Sequence, residues 1–149
     1  MSSAFNEAAD SPGFLLWQVT TVWQRQIRQA LEPFRLTHTQ FVLLFSCHWL
    51  YQKGGSSGVS QVQLAQHTKV DVNVASQVLR SLQKRGLVDR TPHPTDSRAN
   101  IITATPEGID LAMRAVRAVE EVDRSFFSVL GNASRDEMLR LMLRLLTSS

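Results

Sequence analysis

The 149-residue sequence predicts a mainly α-helical chain with one small β-hairpin. Two observations carry that class. Apolar residues recur at helical spacing through six segments, each preceded by a Ser, Thr or Asp suited to cap the free amides. One pair of short β-type runs, 87–91 and 100–103, brackets a loop punctuated by Pro92, Pro94 and Asp96. At 43% apolar, a chain of this length is most simply one domain, expected over residues 1–149, with a buried core.

Ser11-Pro12 opens the first helix, because Ser accepts from an end amide and Pro has no N–H to lose. Leu16, Val19, Trp23, Ile27 and Leu31 follow at helical spacing up to Pro33, and Phe14 and Trp17 widen the stripe. A stripe this wide reads as core or as a subunit interface. Thr37-x-x-Gln40 has the capping-box form and opens a second helix over 38–52. Phe41, Val42, Leu43, Leu44, Phe45, Trp49 and Leu50 make that helix apolar on most sides, as a central buried helix would be. The Gly/Ser-rich loop at 53–58 has neither the preceding strand nor the following Lys-Ser/Thr of a phosphate-binding loop.

Ser60-x-x-Gln63 starts a short helix through His67, and Asp71 caps the next, over 72–85. Ala75, Val78, Leu79 and Leu82 share one face of this second helix; Asn73, Ser76, Gln77, Arg80 and Lys84 share the other. Two helices joined by so short a turn form a helix-turn-helix, and the hairpin directly after it is a wing. Gly86 ends the helix, with Lys84 and Arg85 suited to its negative end. Thr105-Pro106-Glu107 opens a helix of about 25 residues, expected to end at Gly131. Ser134-x-x-Glu137 is expected to open the last helix, with Met138, Leu141, Met142 and Leu145 on one side.

A net charge of +3 and a pI near 9.6 permit nucleic-acid binding without requiring it. The longest apolar run, 41–50, contains Ser46 and His48 and is too short to span a bilayer. The first ten residues carry no basic cluster or apolar block, so a cytoplasmic protein with no membrane partner is expected. The single Cys47 excludes an internal disulfide and a Cys-based zinc cluster. His38, His48, His67 and His93 lack metal-ligand spacing, so no metal or cofactor is expected. With no nucleophile–base set or paired carboxylates, neither is an enzyme.

The helix-turn-helix offers the chemistry of base recognition. Arg pairs bidentately with guanine, Asn and Gln pair with adenine, and Ser pairs with either, which makes Asn73, Ser76, Gln77 and Arg80 the candidate readers. Lys69 and Lys84 flank the helix as candidate phosphate contacts. Arg98 at the hairpin tip suits a narrow minor groove, where negative potential concentrates, with Arg90 at the base of the wing. The Asp-x-Arg spacing suggests that Asp96 orients Arg98.

These segments together resemble a known family. Leu64-Ala65, residues 71–82, Arg85-Gly86-Leu87-Val88-Asp89-Arg90, Asp96-Ser97-Arg98 and Thr105-Pro106-Glu107-Gly108 are similar to the corresponding stretches of the MarR (multiple antibiotic resistance regulator) family. Upstream, Leu36-Thr37-His38-Thr39-Gln40-Phe41 is similar to that family's Leu-Thr-x-x-Gln-Phe start of the second helix. The resemblance implies a winged helix-turn-helix over 36–104, with dimerisation helices at 11–33 and 105–147. It also implies a homodimer that binds palindromic double-stranded operator DNA, usually as a repressor, and is released by a small molecule or an oxidant. Residues 70–85 would then be the recognition helix and Arg98 the minor-groove residue. Two departures stand out: Ser97 replaces a residue that is often Arg, and the Gly-Gly-Ser-Ser-Gly insert is longer than typical.

Some readings stay open. Cys47 lies mid-way along an apolar helix, where a thiol is packing unless it senses oxidants. Trp17, Phe45 and Trp49 line either a ligand pocket or ordinary core, and core is favoured for most of the aromatic residues, Phe14 and Trp23 included. The alternative function is a winged-helix protein-interaction module, or anti-regulator, that binds no DNA. Retention of Arg80, Lys84, Arg90 and Arg98 weighs against it.

Overall fold

The computed structural model describes residues 6–54, 58–96 and 99–149. Helix α1 (Pro12–Leu31) and a 3-10 turn (Glu32–Phe34) lead into α2 (His38–Gly54). Strand β1 (Val59–Ser60), α3 (Gln61–Thr68), α4 (Val72–Lys84), β2 (Val88–Pro92) and β3 (Asn100–Ala104) follow. Helix α5 (Pro106–Phe127), a 3-10 turn (Ser128–Leu130) and α6 (Gly131–Thr147) complete the described chain, which opens on a further 3-10 turn (Ala8–Asp10).

Five of the six expected caps form. Ser11 Oγ accepts from Phe14 N at 3.2 Å, and Asp71 Oδ1 from Asn73 N and Val74 N at 2.9 and 3.2 Å. Thr37–Gln40 and Ser60–Gln63 are reciprocal boxes, each residue bonding the other's backbone at 2.9–3.1 Å. Thr105 Oγ1 accepts from Gly108 N at 3.0 Å and donates to Gly86 O at 2.7 Å, so one hydroxyl caps α5 and holds the end of α4.

The sixth cap is a correction. Helix α6 starts at Gly131, without a side-chain cap, and Ser134 lies inside it. Helix α5 stops at Phe127, short of the expected end, and unwinds through the 3-10 turn to Gly131. At Gly131, φ of +72° redirects the chain, and helix resumes at once, before the Ser134-x-x-Glu137 box is reached.

The wing is also larger than the expected hairpin. The sheet has three antiparallel strands in the order β1-β3-β2, with Val59 opposite Ile102 and Arg90 on the other side of the same Ile102. A two-residue strand has no side-chain alternation to detect, which is why β1 is silent in the sequence. Gly58 leads into it with φ of +84°, where an added Cβ would stand 2.4 Å from Ile101 Cγ2.

The core sits around α2, the central helix expected from its composition. Leu43, Leu44 and Cys47 of α2 are buried with Leu64, Leu79, Leu82, Val88, Ile102 and, from α5, Ala112 and Ala115. Ile27 and Leu31 anchor the C-terminal half of α1 in the same cluster. Its N-terminal half does not join: Phe14, Leu16 and Trp17 are 44%, 62% and 71% exposed. Helix α6 buries no residue at all, and packs on its own chain chiefly through the 3-10 turn before it. The core reading therefore fails for Phe14, Trp17 and the 40%-exposed Trp49, and holds in part for the half-buried Trp23 and Phe45.

Candidate nucleic-acid interface

Helix α4 is seated from three sides. Ala75, Leu79 and Leu82 are buried, and Gln40 Nε2 of α2 donates to Ser81 Oγ at 3.0 Å. Its C-terminus closes as a Schellman motif: Leu87 N donates to Leu82 O at 3.0 Å, Gly86 N to Gln83 O at 2.9 Å, and Gly86 takes φ of +73°. Arg85 then reaches back to the end of the 3-10 turn after α1, its Nη1 donating to Arg35 O at 2.6 Å and its Nη2 to Phe34 O at 3.4 Å. Arg85 is thus a strut, and the Arg-Gly-Leu stretch it begins is structural.

With that side fixed, Asn73, Gln77, Arg80 and Lys84 stand exposed on the opposite face, and Ser76 is half-buried at its margin. The spacing i, i+4, i+7, i+11 keeps the four on one strip of the helix. Among the described residues none of the ion pairs involves Arg80 or Lys84, so both charges face solvent uncompensated. Lys69 is exposed at the turn between α3 and α4, held at φ of +64° as the cap of α3.

The wing meets the helix-turn-helix through Arg90. Its Nη2 donates to Gln61 Oε1 on α3 at 2.9 Å, and its Nε is buried without a hydrogen-bond partner. Burial lowers Arg90 from its ordinary pKa, and the nearby positive charge of Arg80 lowers it further. An arginine nonetheless stays protonated in proteins. Toward the tip, His93 Nδ1 accepts from Thr95 N and Asp96 N, both at 3.2 Å, so the His93 ring holds the turn. Asp96 O in turn accepts from Ala99 N at 3.1 Å. Arg98 lies outside the described residues, and with it the expected orientation of Arg98 by Asp96.

Gln61, Arg85 and His93 are the residues that sequence reasoning missed as parts of this surface. A pattern search on Gln61 and Arg90 has no purchase, since they are 29 apart and meet only when β1 and β2 flank β3. In the sequence His93 stands out only as a possible metal ligand. Its position between Pro92 and Pro94 was the available signal for a turn.

The remaining candidates scatter. Cys47 is fully buried, its Sγ 3.6 Å from Ile102 O, and burial pushes the thiol up to about 11 against a smaller opposing effect from the Ala104 backbone. That is the opposite of a thiolate primed for oxidation. Phe45 stacks on Phe41, and Trp49 stacks on His67 with Lys53 Nζ 5.4 Å above its ring, while Trp17 lies far out on the open end of α1. The three aromatic candidates for a ligand pocket therefore have separate surroundings. Among the described residues no three His, Cys, Asp or Glu side chains gather as a metal site, and no helix is long and apolar enough to cross a membrane.

Comparison with known proteins agrees with this geometry. Residues 36–99 match the model of the MarR family. The chain is 40% identical over 126 residues to YdcH of Bacillus subtilis, an uncharacterised HTH-type transcriptional regulator, covering 85% of this chain and 84% of the relative. It is 33% identical over 139 residues to an HTH-type transcriptional repressor of Mycobacterium tuberculosis, covering 93% and 96%. Among solved structures, BpsR of Bordetella bronchiseptica, whose DNA binding is regulated by 6-hydroxynicotinic acid, superposes with a TM-score of 0.84 at 25% identity, over 98% of this chain and 99% of BpsR. A polar-faced helix in a helix-turn-helix, a sheet-based wing beside it and these relatives lead to one conclusion: the chain belongs to the MarR family of helix-turn-helix transcriptional regulators.

Proposed function

We propose that this regulator is a homodimeric repressor that reads a palindromic operator with two copies of α4 and is released by a small-molecule effector. The observation that carries the reading is the exposed strip Asn73, Gln77, Arg80 and Lys84 on a helix whose other side is buried, hydrogen-bonded and capped. Those side chains supply the donors and acceptors that major-groove base edges require. Lys69 and Arg90 take phosphates, and Arg98, which the sequence places between β2 and β3, takes the minor groove. Two-fold pairing would set the half-sites about one helical turn, roughly 34 Å, apart.

The partner is a second copy of the chain. The exposed apolar residues of α1's first half and of α6, among them Trp17, Leu143 and Leu145, form more bare apolar surface than a monomer normally carries. Buried together across a two-fold axis they make an obligate type of interface. Effector release draws its support from BpsR, where a small aromatic acid regulates DNA binding. Oxidant release draws none from the buried, protonated Cys47.

The test begins with duplexes selected from a random pool by the full chain. Fluorescence anisotropy should give an affinity at least a hundredfold above a scrambled duplex, falling steeply with salt as counterions are released. Equal, salt-insensitive binding to both duplexes would contradict the proposal and favour a protein-interaction role.

A further inference from the structure

We propose that Gln61, the first residue of α3, is a positioning residue that presets Arg90 as a ligand for a DNA phosphate beside the reading face of α4. The inference rests on the DNA-binding reading above and adds a residue and a role to it. Three observations meet at this point.

First, Arg90 is not a free surface cation. It faces the same side of β2 as the buried Val88, is itself half-buried, and has Nη2 fixed on Gln61 Oε1 at 2.9 Å. A guanidinium held by a neutral amide has its charge uncompensated, whereas a carboxylate in the same place would offset it. Second, the rest of that guanidinium is short of acceptors: Nε is inaccessible and has no hydrogen-bond partner. Native proteins seldom leave a buried polar atom so, and the hydrogen bonding of this guanidinium is incomplete in the free chain. Third, the charge nearby has the wrong sign. Arg80 of α4 is close enough to act unfavourably on Arg90, and among the described residues the ion pairs all lie elsewhere, on α5 and α6.

An unneutralised arginine held still next to a second cation is unfavourable in the free chain. The repulsion is relieved when an anion comes up to the remaining guanidinium N–H groups. The anion that belongs next to a base-reading helix is a backbone phosphate. Arg80 stays a base reader in this arrangement, and Arg90 fixes the register of the duplex against the wing. Gln61 works through Arg90 and touches no DNA itself.

The decisive variant is Gln61→Glu. A carboxylate at the first turn of α3 favours the helix, so the protein should fold at least as well as the wild type. It would still hold Arg90 in place but neutralise it. On a duplex selected by the wild type, affinity at low salt should fall about tenfold and the slope of log K against log salt should flatten by about one phosphate. Gln61→Ala, which frees Arg90 without neutralising it, should weaken binding only severalfold and leave the slope unchanged. Base preference should not move in either variant. In an Arg90→Ala background, Gln61→Glu should add less than a threefold loss. A full second tenfold loss in that background would show that the new carboxylate repels DNA on its own, and would overturn the assignment. So would a Gln61→Glu protein with wild-type affinity and slope. Failure of the wild type to prefer any duplex would instead remove the DNA-binding reading, which is a distinguishable result.

Discussion

Gly108 has the tightest surroundings of any glycine described here. A Cβ on it would stand 2.0 Å from Leu87 O, because Thr105 N bonds that same carbonyl at 3.0 Å and draws the start of α5 onto the end of α4. The Thr-Pro-Glu-Gly stretch is therefore a joint between the helix-turn-helix and the last helices. Backbone cannot yield as a side-chain tip does, so Gly108→Ala should cost about 3 kcal/mol and lower Tm by roughly 6–12 °C in a thermal melt. A variant melting with the wild type would mean that the two segments are not in this contact. Residue identities of this kind were partly legible. The candidate readers Asn73, Gln77 and Arg80 follow from helical period alone, and the structure exposes all three. The fate of Arg85, Arg90 and His93 was not, since each is decided by a partner brought by turns or sheet pairing.

At the level of elements, caps were the most readable signals because they are local: five of six bond as their spacing requires. Ser134-x-x-Glu137 failed because a cap acts only where the chain is not yet helical, and Gly131 had already turned it. Packing between elements was less readable. Where α1, α2 and α5 meet, Trp23 Nε1 donates to Asp123 Oδ1 at 2.8 Å and its ring lies edge-on to His38, with centroids 5.2 Å apart. Burial lowers the His38 pKa from 6.5; Asp123 opposes this and Arg28 adds to it. The sign follows from linkage. Below about 6.5 the unfolded chain takes up a proton on this imidazole more readily than the folded one, so stability is complete above that pH and declines as pH falls through the folded value. Melts between pH 7.5 and 5 should show a fall in Tm that is smaller in His38→Gln. Identical pH profiles would place the lost stability elsewhere.

For the whole molecule, the apolar stripes on α1 and α6 were visible in the sequence, but their use was not. A stripe reads the same whether it will face its own core or another chain. In the structure Ile27 and Leu31 are fully buried, while Leu16, Trp17, Leu143 and Leu145 are exposed. In the proposed homodimer two chains joined through these residues would present two copies of α4, and the central claim is that those copies read two related half-sites. The sharpest test compares the DNA selected from a random pool by the wild type and by Gln77→Ala. The account predicts a palindromic wild-type motif, and in the variant a loss of base preference at one position in each half-site, symmetric about the centre, with the other positions intact. A motif unchanged by Gln77→Ala, or one without two-fold symmetry, would contradict it.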